Sequence, residues 1–408
     1  MKRRSFFKFL MSLPVIGRVL HPSGLSADIT VPARRTPQHI IVIGAGAFGG
    51  WTALNLLRKG ARVTLIDAIE AGNPLASSGG ETRVIRHAYE QRIYVDLVVR
   101  ALELWRLNDI RWDMQLFNQK GVLFMGRDRE FIDQATVHME SAGVEIEILE
   151  GSEISRRFPQ LNPENLNWAV YEPQAGYLTA RRACMAVRDA FIGEGGEYRL
   201  AKVQPGDISA GEMTGIRLQD DSKLTADQYI FACGPWLKEL FPDVIGELIK
   251  VTRQELYYFK PPVSQNTAFN EDLPVWAEVG EPFFYGIPGY HGMFKIGDDT
   301  RGPEVDPTTQ SRAPTPSGIA SARRFMEYRF PAMKGAELVD SRVCQYSESQ
   351  DYNFIVDRHP EAENTWLIGG GSGHGFKHGP ALGEMIADQV LGDKPLEETF
   401  LLSRFTQV

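Results

Sequence analysis

Apolar and polar residues follow one another along the chain in blocks that predict alternating strands and helices. Residues 38–43 form a short apolar, β-branched run, which is typical of a buried parallel strand. A glycine-rich turn follows, then a helical pattern over residues 51–59 and a second strand over residues 61–66. This order of strand, turn, helix and strand predicts an α/β unit with a parallel sheet.

The rest of the chain interleaves the same elements with a region of different character. Helical spacing recurs over residues 92–108, 129–142, 179–192 and 381–391, and strand patterns over residues 121–125, 145–149, 223–233 and 365–368. Residues 251–296 are rich in aromatic and β-branched residues with frequent Pro and Gly, which indicates antiparallel sheet. We therefore predict an α/β fold in which a Rossmann-like domain is built from discontinuous segments and carries an inserted α+β domain with a large mixed or antiparallel sheet. The predicted segments are residues 36–118, 179–248 and 341–408 for the first domain, and residues 119–178 and 249–340 for the second.

The glycine turn carries the spacing of a dinucleotide fingerprint. Gly44 permits a tight turn, Gly46 lets a pyrophosphate approach the backbone, and Gly49 lets helix and strand pack closely. The helix N-terminus offers free N–H groups to phosphates, and Asp67, at the end of the second strand, can accept from ribose hydroxyls. The pattern predicts dinucleotide binding without separating FAD from NAD. The alternative is an α/β protein with an idle glycine turn.

Composition narrows the class of protein. With 408 residues and 43% hydrophobic content, the chain can bury a large core and hold two domains. A net charge of −8 argues against a general nucleic-acid-binding surface, and no sequence window approaches the roughly 20 apolar residues of a membrane span. Three widely spaced cysteines indicate neither a disulfide framework nor a zinc site, and we expect no metal.

The N-terminus has a composition of its own. Residues 2–8 (KRRSFFK) are similar to a twin-arginine export signal, and a moderately apolar stretch follows over residues 9–20. We assign residues 1–35 to such a leader and expect a periplasmic or secreted protein. The alternative is a basic leader without a targeting role on a cytoplasmic protein.

Five ordered motifs carry a resemblance to a known family. They are GGETRVIRHAY (residues 79–89), FYGIPGYHGMFKIG (284–297), CQY (344–346), FIVDRHPE (354–361) and GSGHGFKHGP (371–380). With them the chain resembles the monomeric sarcosine oxidase and N-methyltryptophan oxidase family, within the D-amino-acid-oxidase-like flavoproteins, from about residue 38 to residue 400.

The resemblance implies FAD as the cofactor. In such enzymes FAD oxidises an amine to an imine, and O₂ reoxidises the flavin to give H₂O₂. We expect a monomer rather than an oligomer. The glycine-rich turn at residues 371–375 and the positive N-terminal end of the helix that follows it would stabilise negative charge on the flavin ring. The predicted cofactor-binding residues are Gly44, Gly46, Ala47, Phe48, Gly49, Asp67, Ser78, Thr82, Arg83, Cys344, Gly371, Gly373, Gly375 and Lys377.

Arg86 and Lys377 match the carboxylate clamp of this family. An arginine grips a carboxylate at two points and a lysine supplies a point charge. The clamp would hold the substrate carbon over the flavin, and Tyr285 and Tyr346 align with tyrosines that line the substrate pocket. The alternatives are surface ion pairs for the two cations and core packing for the tyrosines.

Further residues take roles through the resemblance. Lys295 would support the reduction of O₂ from above the flavin, with Arg83 facing the same side and His374 near the ring. Cys344 aligns with the cysteine that forms an 8α-thioether to FAD. The alternatives are a charged edge-strand residue that prevents pairing with another chain for Lys295, a core histidine for His374 and a small buried hydrophobic residue for Cys344.

The chain departs from the family at one site position. Asp299 stands where the sarcosine-oxidising members have a histidine near the substrate amine. Because a carboxylate there favours a cation, we hypothesise that the substrate is a larger or basic amino acid.

The functional prediction is an FAD-dependent oxidase of an amino acid or N-methyl amino acid. One alternative is a dehydrogenase that passes electrons to a quinone or a protein. The other is a flavin-binding subunit without catalytic activity.

Overall fold

The computed structural model describes residues 37–405; residues 1–36 and 406–408 lie outside the described part, and with them the predicted export signal. The helices are α1 (Ala47–Arg58), α2 (Arg92–Trp112), α3 (Glu130–Ser141), α4 (Ser152–Arg157), α5 (Ala180–Gly193), α6 (Leu237–Leu240), α7 (Pro242–Ile245), α8 (Pro316–Arg329) and α9 (Gly379–Val390). Within residues 37–405, no helix is both long enough and apolar enough to cross a membrane.

The strands fall into two large sheets and three small ones. In chain order they are β1 (His39–Ile43), β2 (Arg62–Asp67), β3 (Thr82–Ile85), β4 (Phe117–Gln119), β5 (Val122–Gly126), β6 (Glu147–Leu149), β7 (Trp168–Glu172), β8 (Gly176–Thr179), β9 (Glu197–Leu200), β10 (Val203–Pro205), β11 (Ile208–Ser209), β12 (Glu212–Met213), β13 (Ile216–Leu218), β14 (Lys223–Leu224), β15 (Gln228–Phe231), β16 (Ile249–Lys260), β17 (Val275–Val279), β18 (Phe284–Tyr290), β19 (Met293–Asp298), β20 (Glu337–Ser349), β21 (Ile355–His359) and β22 (Ala362–Gly369).

The first large sheet has the order β21-β22-β15-β1-β2-β9. All neighbours in it are parallel except β21, which runs antiparallel to β22. Both faces of β1 are buried: Ile40 and Val42 pack in one core cluster and Ile41 and Ile43 in another. Burial on both faces explains why this strand reads as a continuous apolar run.

The second large sheet has the order β20-β16-β19-β18-β17-β5-β7-β6 and is mixed, because β17 runs parallel to β5 while the other neighbours are antiparallel. One face packs against α8 through a core cluster that includes Phe259, Trp276, Phe294 and Met326. The opposite face carries most of the candidate chemistry.

The register of this sheet explains that grouping. Lys295 on β19 lies opposite Tyr258 on β16, and Cys344 on β20 lies opposite Gln254 of the same β16 strand. Tyr285 on β18 lies opposite Gly297, two residues beyond Lys295. Because directly opposed residues and alternate residues share a face, these side chains emerge on one side of the sheet.

Most predicted elements are present, with two differences. The helix after the first glycine turn begins at Ala47, four residues before its predicted start, because the last residues of the glycine motif are already helical. The single strand predicted over residues 223–233 is wrong. Its first part, β14, pairs with β13 in a small sheet, whereas β15 joins the large parallel sheet beside β1.

The division into domains stays a prediction, although the sheets follow its outline. The parallel sheet draws its strands from residues 39–67, 197–231 and 355–369, and the mixed sheet from residues 122–172 and 249–349. The predicted boundary at residue 340 cuts through β20, which is one continuous strand paired along its length with β16.

Candidate active site

A cavity of about 570 Å³ opens beyond the carboxyl ends of β1 and β2. Ligands of open parallel sheets bind in such a position. The predicted cofactor and substrate residues that line it are Gly44, Gly46, Ala47, Phe48, Asp67, Ser78, Arg83, Tyr346, Gly371, Gly373 and Gly375. The predicted residues outside this lining are Gly49, Thr82, Arg86, Tyr285, Lys295, Asp299, Cys344, His374 and Lys377.

The first glycine turn leaves no room for a side chain at Gly44 or at Gly49. Gly44 has a φ of +104°, and a Cβ atom there would lie 2.3 Å from the carbonyl oxygen of Ala232. A Cβ atom on Gly49 would lie 1.9 Å from the carbonyl oxygen of Gly44. Gly49 therefore serves the packing of α1 against the turn, which explains its absence from the cavity lining.

Two polar side chains fix the turn to its surroundings. Asp67 Oδ2 accepts from the Ala45 N–H at 2.8 Å and its Oδ1 accepts from the Ile69 N–H at 3.0 Å. Ser78 Oγ accepts from the Ala47 N–H at 3.2 Å. Burial raises the pKa of Asp67, and the backbone hydrogen bonds oppose that rise. A carboxylate oxygen accepts more than one hydrogen bond, so Asp67 can also receive a ribose hydroxyl.

The second glycine turn is shaped by two aromatic rings. A Cβ atom on Gly373, whose φ is +80°, would lie 2.7 Å from the Tyr346 ring, and one on Gly375 would lie 2.7 Å from the Phe48 ring. The amides of His374 and Gly375 both donate to the Gly371 carbonyl oxygen, at 2.9 and 2.8 Å. Both of these amide hydrogens are therefore hydrogen-bonded within the turn itself.

The buried residues Lys295 and Cys344 form one group with Arg83, which is partly buried and lines the cavity. Lys295 is 1% exposed, and its Nζ donates to the carbonyl oxygen of Thr82 at 3.0 Å and to the Thr82 hydroxyl at 3.3 Å. The Arg83 guanidinium donates to the same carbonyl at 2.8 Å and lies 3.7 Å from Cys344 Sγ. Burial, followed by the charge of Arg83, places the pKa of Lys295 well below its usual range. Tyr285 joins the group, with its ring centroid 5.5 Å from Lys295 Nζ.

Arg86 and Lys377 meet at Tyr89. The Arg86 guanidinium carbon lies 4.4 Å from the centroid of the Tyr89 ring, and Lys377 Nζ donates to the Tyr89 hydroxyl at 2.7 Å. Lys377 Nζ also donates to the His374 carbonyl oxygen at 2.9 Å. The structure therefore brings the two predicted clamp residues together, although they are almost three hundred positions apart in the chain.

His374 lies in the same group. Its Nδ1 is 3.3 Å from the Tyr89 hydroxyl and its Nε2 is 3.1 Å from the Tyr352 carbonyl oxygen. Burial, together with the charge of Lys377, lowers the pKa of His374 to about 3, so its imidazole is neutral at neutral pH.

Asp299 belongs to a second charged group beside the cavity. Its carboxylate accepts from the Tyr346 hydroxyl at 2.7 Å and pairs with Arg301 at 3.3 Å. Arg301 also pairs with Glu348, which is 6% exposed, and donates to the Ser372 carbonyl oxygen at 3.4 Å. Two carboxylates therefore share one guanidinium, and burial raises the pKa of Asp299 and of Glu348.

Sequence reasoning missed Tyr89, His378, Arg301 and Glu348. Tyr89 and His378 lie inside the first and last of the five motifs, so membership in those motifs is the signal by which both could have been found. Glu348 had no such signal, since its pairing with Arg301 depends on the register of β20 against β16 and on the segment that follows β19.

A sequence profile described as FAD dependent oxidoreductase (DAO) matches residues 39–389. The chain belongs to the DAO family of FAD-dependent oxidoreductases. Because the match runs from β1 to the end of α9, it covers both the nucleotide cavity and the mixed sheet of this DAO-family chain.

Characterised relatives agree with this assignment. The chain is 31% identical over 377 residues to a monomeric sarcosine oxidase from Bacillus sp., with 89% of this chain and 95% of the relative covered. It is 28% identical over 380 residues to an N-methyl-L-tryptophan oxidase from Salmonella heidelberg, with 90% and 99% covered. The recognition of the family from the five motifs is confirmed.

Solved structures confirm the fold. An L-proline dehydrogenase from P. horikoshii superposes with a TM-score of 0.80 at 21% identity, covering 91% of this chain and 98% of the other. Amadoriase I from Aspergillus fumigatus superposes with a TM-score of 0.75 at 21% identity, covering 90% and 89%. At such identities the likeness concerns the architecture of the DAO family.

The residues present fit FAD. The cavity joins a glycine turn at a helix N-terminus, a carboxylate placed for a ribose and a second glycine turn in which aromatic rings block a Cβ atom at Gly373 and at Gly375. When bound, FAD supplies this family with a two-electron acceptor.

We predict that Arg301→Met destabilises the protein in a pH-dependent way. The buried Glu348 and the partly buried Asp299 would lose their shared cation, for an expected loss of about 2–3 kcal/mol. Their folded pKa values already lie above the unfolded ones, so stability falls as the pH rises from about 4 through the folded values, and removing Arg301 raises those values further. The measurement is the unfolding temperature of the holoenzyme against pH.

A matched control is Arg199→Met, because Arg199 pairs with Glu197 at the surface, where both side chains are more than 40% exposed. Its unfolding temperature should follow the wild-type curve. Parallel curves for Arg301→Met and the wild type would contradict the buried charge sharing.

Proposed function

We propose that this chain is an FAD-dependent oxidase of an amino acid or N-methyl amino acid, which converts the amine to an imine while O₂ is reduced to H₂O₂. The observation that carries the proposal is the pair of cations at Tyr89. Among residues 37–405, no acidic side chain forms an ion pair with Arg86 or Lys377, and Lys377 is only 5% exposed. A buried cation such as Lys377 normally has an anionic partner, and a substrate carboxylate would supply it.

The relatives support the same chemistry. The two characterised proteins at about 30% identity are named as oxidases of sarcosine and of N-methyl-L-tryptophan, both N-methyl amino acids. Two electrons and two protons leave the C–N unit of the amine, and both electrons end on O₂, so amine and O₂ give imine and H₂O₂.

The residues of the chain take the following roles in this proposal. Arg86 and Lys377 bind the carboxylate and orient the reacting carbon. Their positive charge lowers the pKa of the substrate amine, which favours the neutral amine that is oxidised. Lys295 and Arg83 hold positive charge for the reduction of O₂, and Tyr285 and Tyr346 border the substrate.

The decisive experiment is anaerobic reduction of the bound flavin. The holoenzyme is mixed with sarcosine, N-methyltryptophan, proline-like imino acids and L- and D-amino acids, and the visible flavin absorbance is followed before and after air is admitted. We expect bleaching by one class of amino acid and rapid recovery with H₂O₂. Arg86→Met should raise KM by about 100-fold or more, because a charged, bidentate contact is lost.

The matched control is Arg92→Met, since Arg92 pairs with Asp96 on the exposed surface of α2. It should bleach like the wild type. Bleaching followed by slow recovery in air would instead favour a dehydrogenase with a quinone or protein acceptor. No bleaching by any amine would favour a flavin-binding subunit without catalytic activity.

We also propose that FAD is attached to Cys344 through a thioether. Cys344 Sγ lies beside Arg83, and Arg83 lines the cavity. The Ser77 hydroxyl donates to the backbone of the next residue, Gln345, at 2.7 Å, which holds this part of β20 at the cavity. Forming the bond replaces the S–H bond and one C–H bond of a flavin methyl group, and the two electrons released pass to O₂.

Acid denaturation tests the attachment. We expect flavin to stay in the protein pellet of the wild type and to enter the supernatant completely in Cys344→Ala. Cys233→Ala is the control, because Cys233 is another free cysteine and lines the same cavity. Release from the wild type, or retention by Cys344→Ala, would contradict a bond at Cys344.

For the substrate, we propose an amino acid with a basic or large side chain. Asp299, Glu348 and Arg301 together carry one net negative charge when both carboxylates are ionised, and this group adjoins the cavity through Tyr346. A second cationic group on the substrate would find a complementary charge there.

The corresponding prediction concerns Asp299→Asn, which keeps an oxygen for the Tyr346 hydroxyl while removing the charge. KM for basic amino acids should rise about tenfold, while KM for neutral ones should change about twofold or less. Glu304→Gln is the control, since Glu304 pairs with Lys238 at the surface. An unchanged KM profile would contradict this substrate class.

Two further proposals rest on sequence alone or on relatives. Export through the twin-arginine pathway depends on residues that lie outside the described range. A monomeric state is in keeping with the name of the sarcosine oxidase relatives.

A further inference from the structure

Tyr89 lies at the centre of a buried polar group that joins both clamp cations. Its side chain is 8% exposed, and its hydroxyl oxygen lies within hydrogen-bonding distance of Lys377 Nζ (2.7 Å), His378 Nε2 (3.1 Å) and His374 Nδ1 (3.3 Å). The face of its ring receives the Arg86 guanidinium. One side chain therefore touches both cations, the first by its ring and the second by its hydroxyl.

The hydrogen bonds around this hydroxyl fit a single arrangement of protons. His374 Nε2 faces the carbonyl oxygen of Tyr352, so Nε2 carries the proton and Nδ1 is an acceptor. The Tyr89 hydroxyl must then donate to His374, and its oxygen accepts from His378 Nε2 and from Lys377. His378 Nδ1, which has no hydrogen-bond partner among residues 37–405, is left as the unprotonated nitrogen.

This arrangement determines what Lys377 can offer to a ligand. Its Nζ donates to Tyr89 and to the His374 carbonyl oxygen, which uses two N–H bonds. An ammonium group has a third N–H bond, whereas a neutral amine has none left. Only the protonated form of Lys377 can therefore donate to a carboxylate while keeping both existing hydrogen bonds.

We propose that Tyr89 is a positioning residue of the carboxylate site, which directs the remaining N–H of protonated Lys377 and the guanidinium of Arg86 toward one substrate carboxylate. The proposal rests on the proposed function, because it needs a carboxylate substrate. It assigns Tyr89 no contact with the reacting atoms.

The surroundings make the protonation of Lys377 sensitive to this hydroxyl. The ionisable groups that face Lys377 come from several elements: Arg86, Tyr89, Glu172, Asp299, His374 and His378. Burial, followed by Arg86, holds the pKa of Lys377 well below its usual range, while Asp299 and Glu172 act in the opposite direction. An oxygen acceptor at 2.7 Å favours the ammonium form, so its removal lowers that pKa further.

The test is binding of propanoate to the holoenzyme, measured by calorimetry across a range of pH. Wild-type affinity should fall as the pH rises through the pKa of Lys377. Tyr89→Phe keeps the ring face for Arg86 but loses the acceptor, so propanoate should bind about tenfold more weakly, and the fall should occur at lower pH.

The matched control is Tyr94→Phe. Tyr94 is a buried tyrosine on α2 whose ring lies 5.0 Å from that of His374, but its hydroxyl donates to Asn353 at 3.0 Å. Its propanoate affinity and pH profile should match the wild type. Propanamide, which lacks the charge, should distinguish carboxylate recognition from nonspecific uptake by binding neither protein measurably.

The outcomes separate the two proposals. If wild-type enzyme binds no propanoate at any pH, both the carboxylate site and the role of Tyr89 are wrong. If Lys377→Met loses binding while Tyr89→Phe keeps the wild-type affinity and pH profile, the carboxylate site stands and the positioning role is wrong. A shift of the pH profile in Tyr89→Phe but not in Tyr94→Phe supports the proposal, since a purely structural defect would not move it.

Discussion

The site depends on strand β16, which pairs antiparallel with β20 on one side and with β19 on the other. This pairing sets which side chains share a face, and it places Lys295, Tyr285, Cys344 and Tyr346 on one side of the mixed sheet. A slip of one residue in β20 would turn Cys344 and Tyr346 toward the opposite, hydrophobic face, because side chains alternate along a strand. The apolar cluster under α8 opposes such a slip by burying the alternate residues of β16 and β19.

That register is completed by polar contacts from the nucleotide side. Lys295 and Arg83 both donate to the carbonyl oxygen of Thr82, and Ser77 donates to the backbone of β20. These contacts join β3 and the preceding loop to the mixed sheet. The cavity that suits the nucleotide and the sheet face that carries the cations are thereby held next to each other, which is what oxidation of a substrate against a bound cofactor requires.

Charge is distributed unevenly around this junction. Arg83, Arg86, Lys295 and Lys377 have backbone carbonyls, hydroxyls and aromatic rings as their partners. Asp299 and Glu348 share Arg301 nearby, and Asp299 is close enough to interact electrostatically with Arg86 and Lys377. A substrate carboxylate would complement Arg86 and Lys377, the two cations that meet at Tyr89. The arrangement thus favours an amino acid over a simple amine.

The sequence by itself determined the parallel nucleotide sheet and its dinucleotide turn, because glycine spacing and continuous apolar runs are local signals. The family, and FAD with it, came from the resemblance that the five motifs carry. The five motifs also pointed to Arg86, Lys295, Lys377 and Cys344 as candidates. Only the tertiary structure decided that Arg86 and Lys377 meet on Tyr89, that Asp299 shares an arginine with Glu348, and that residues 223–233 divide between two sheets. These facts follow from strand register and from contacts between distant segments, which leave no periodic pattern in the chain.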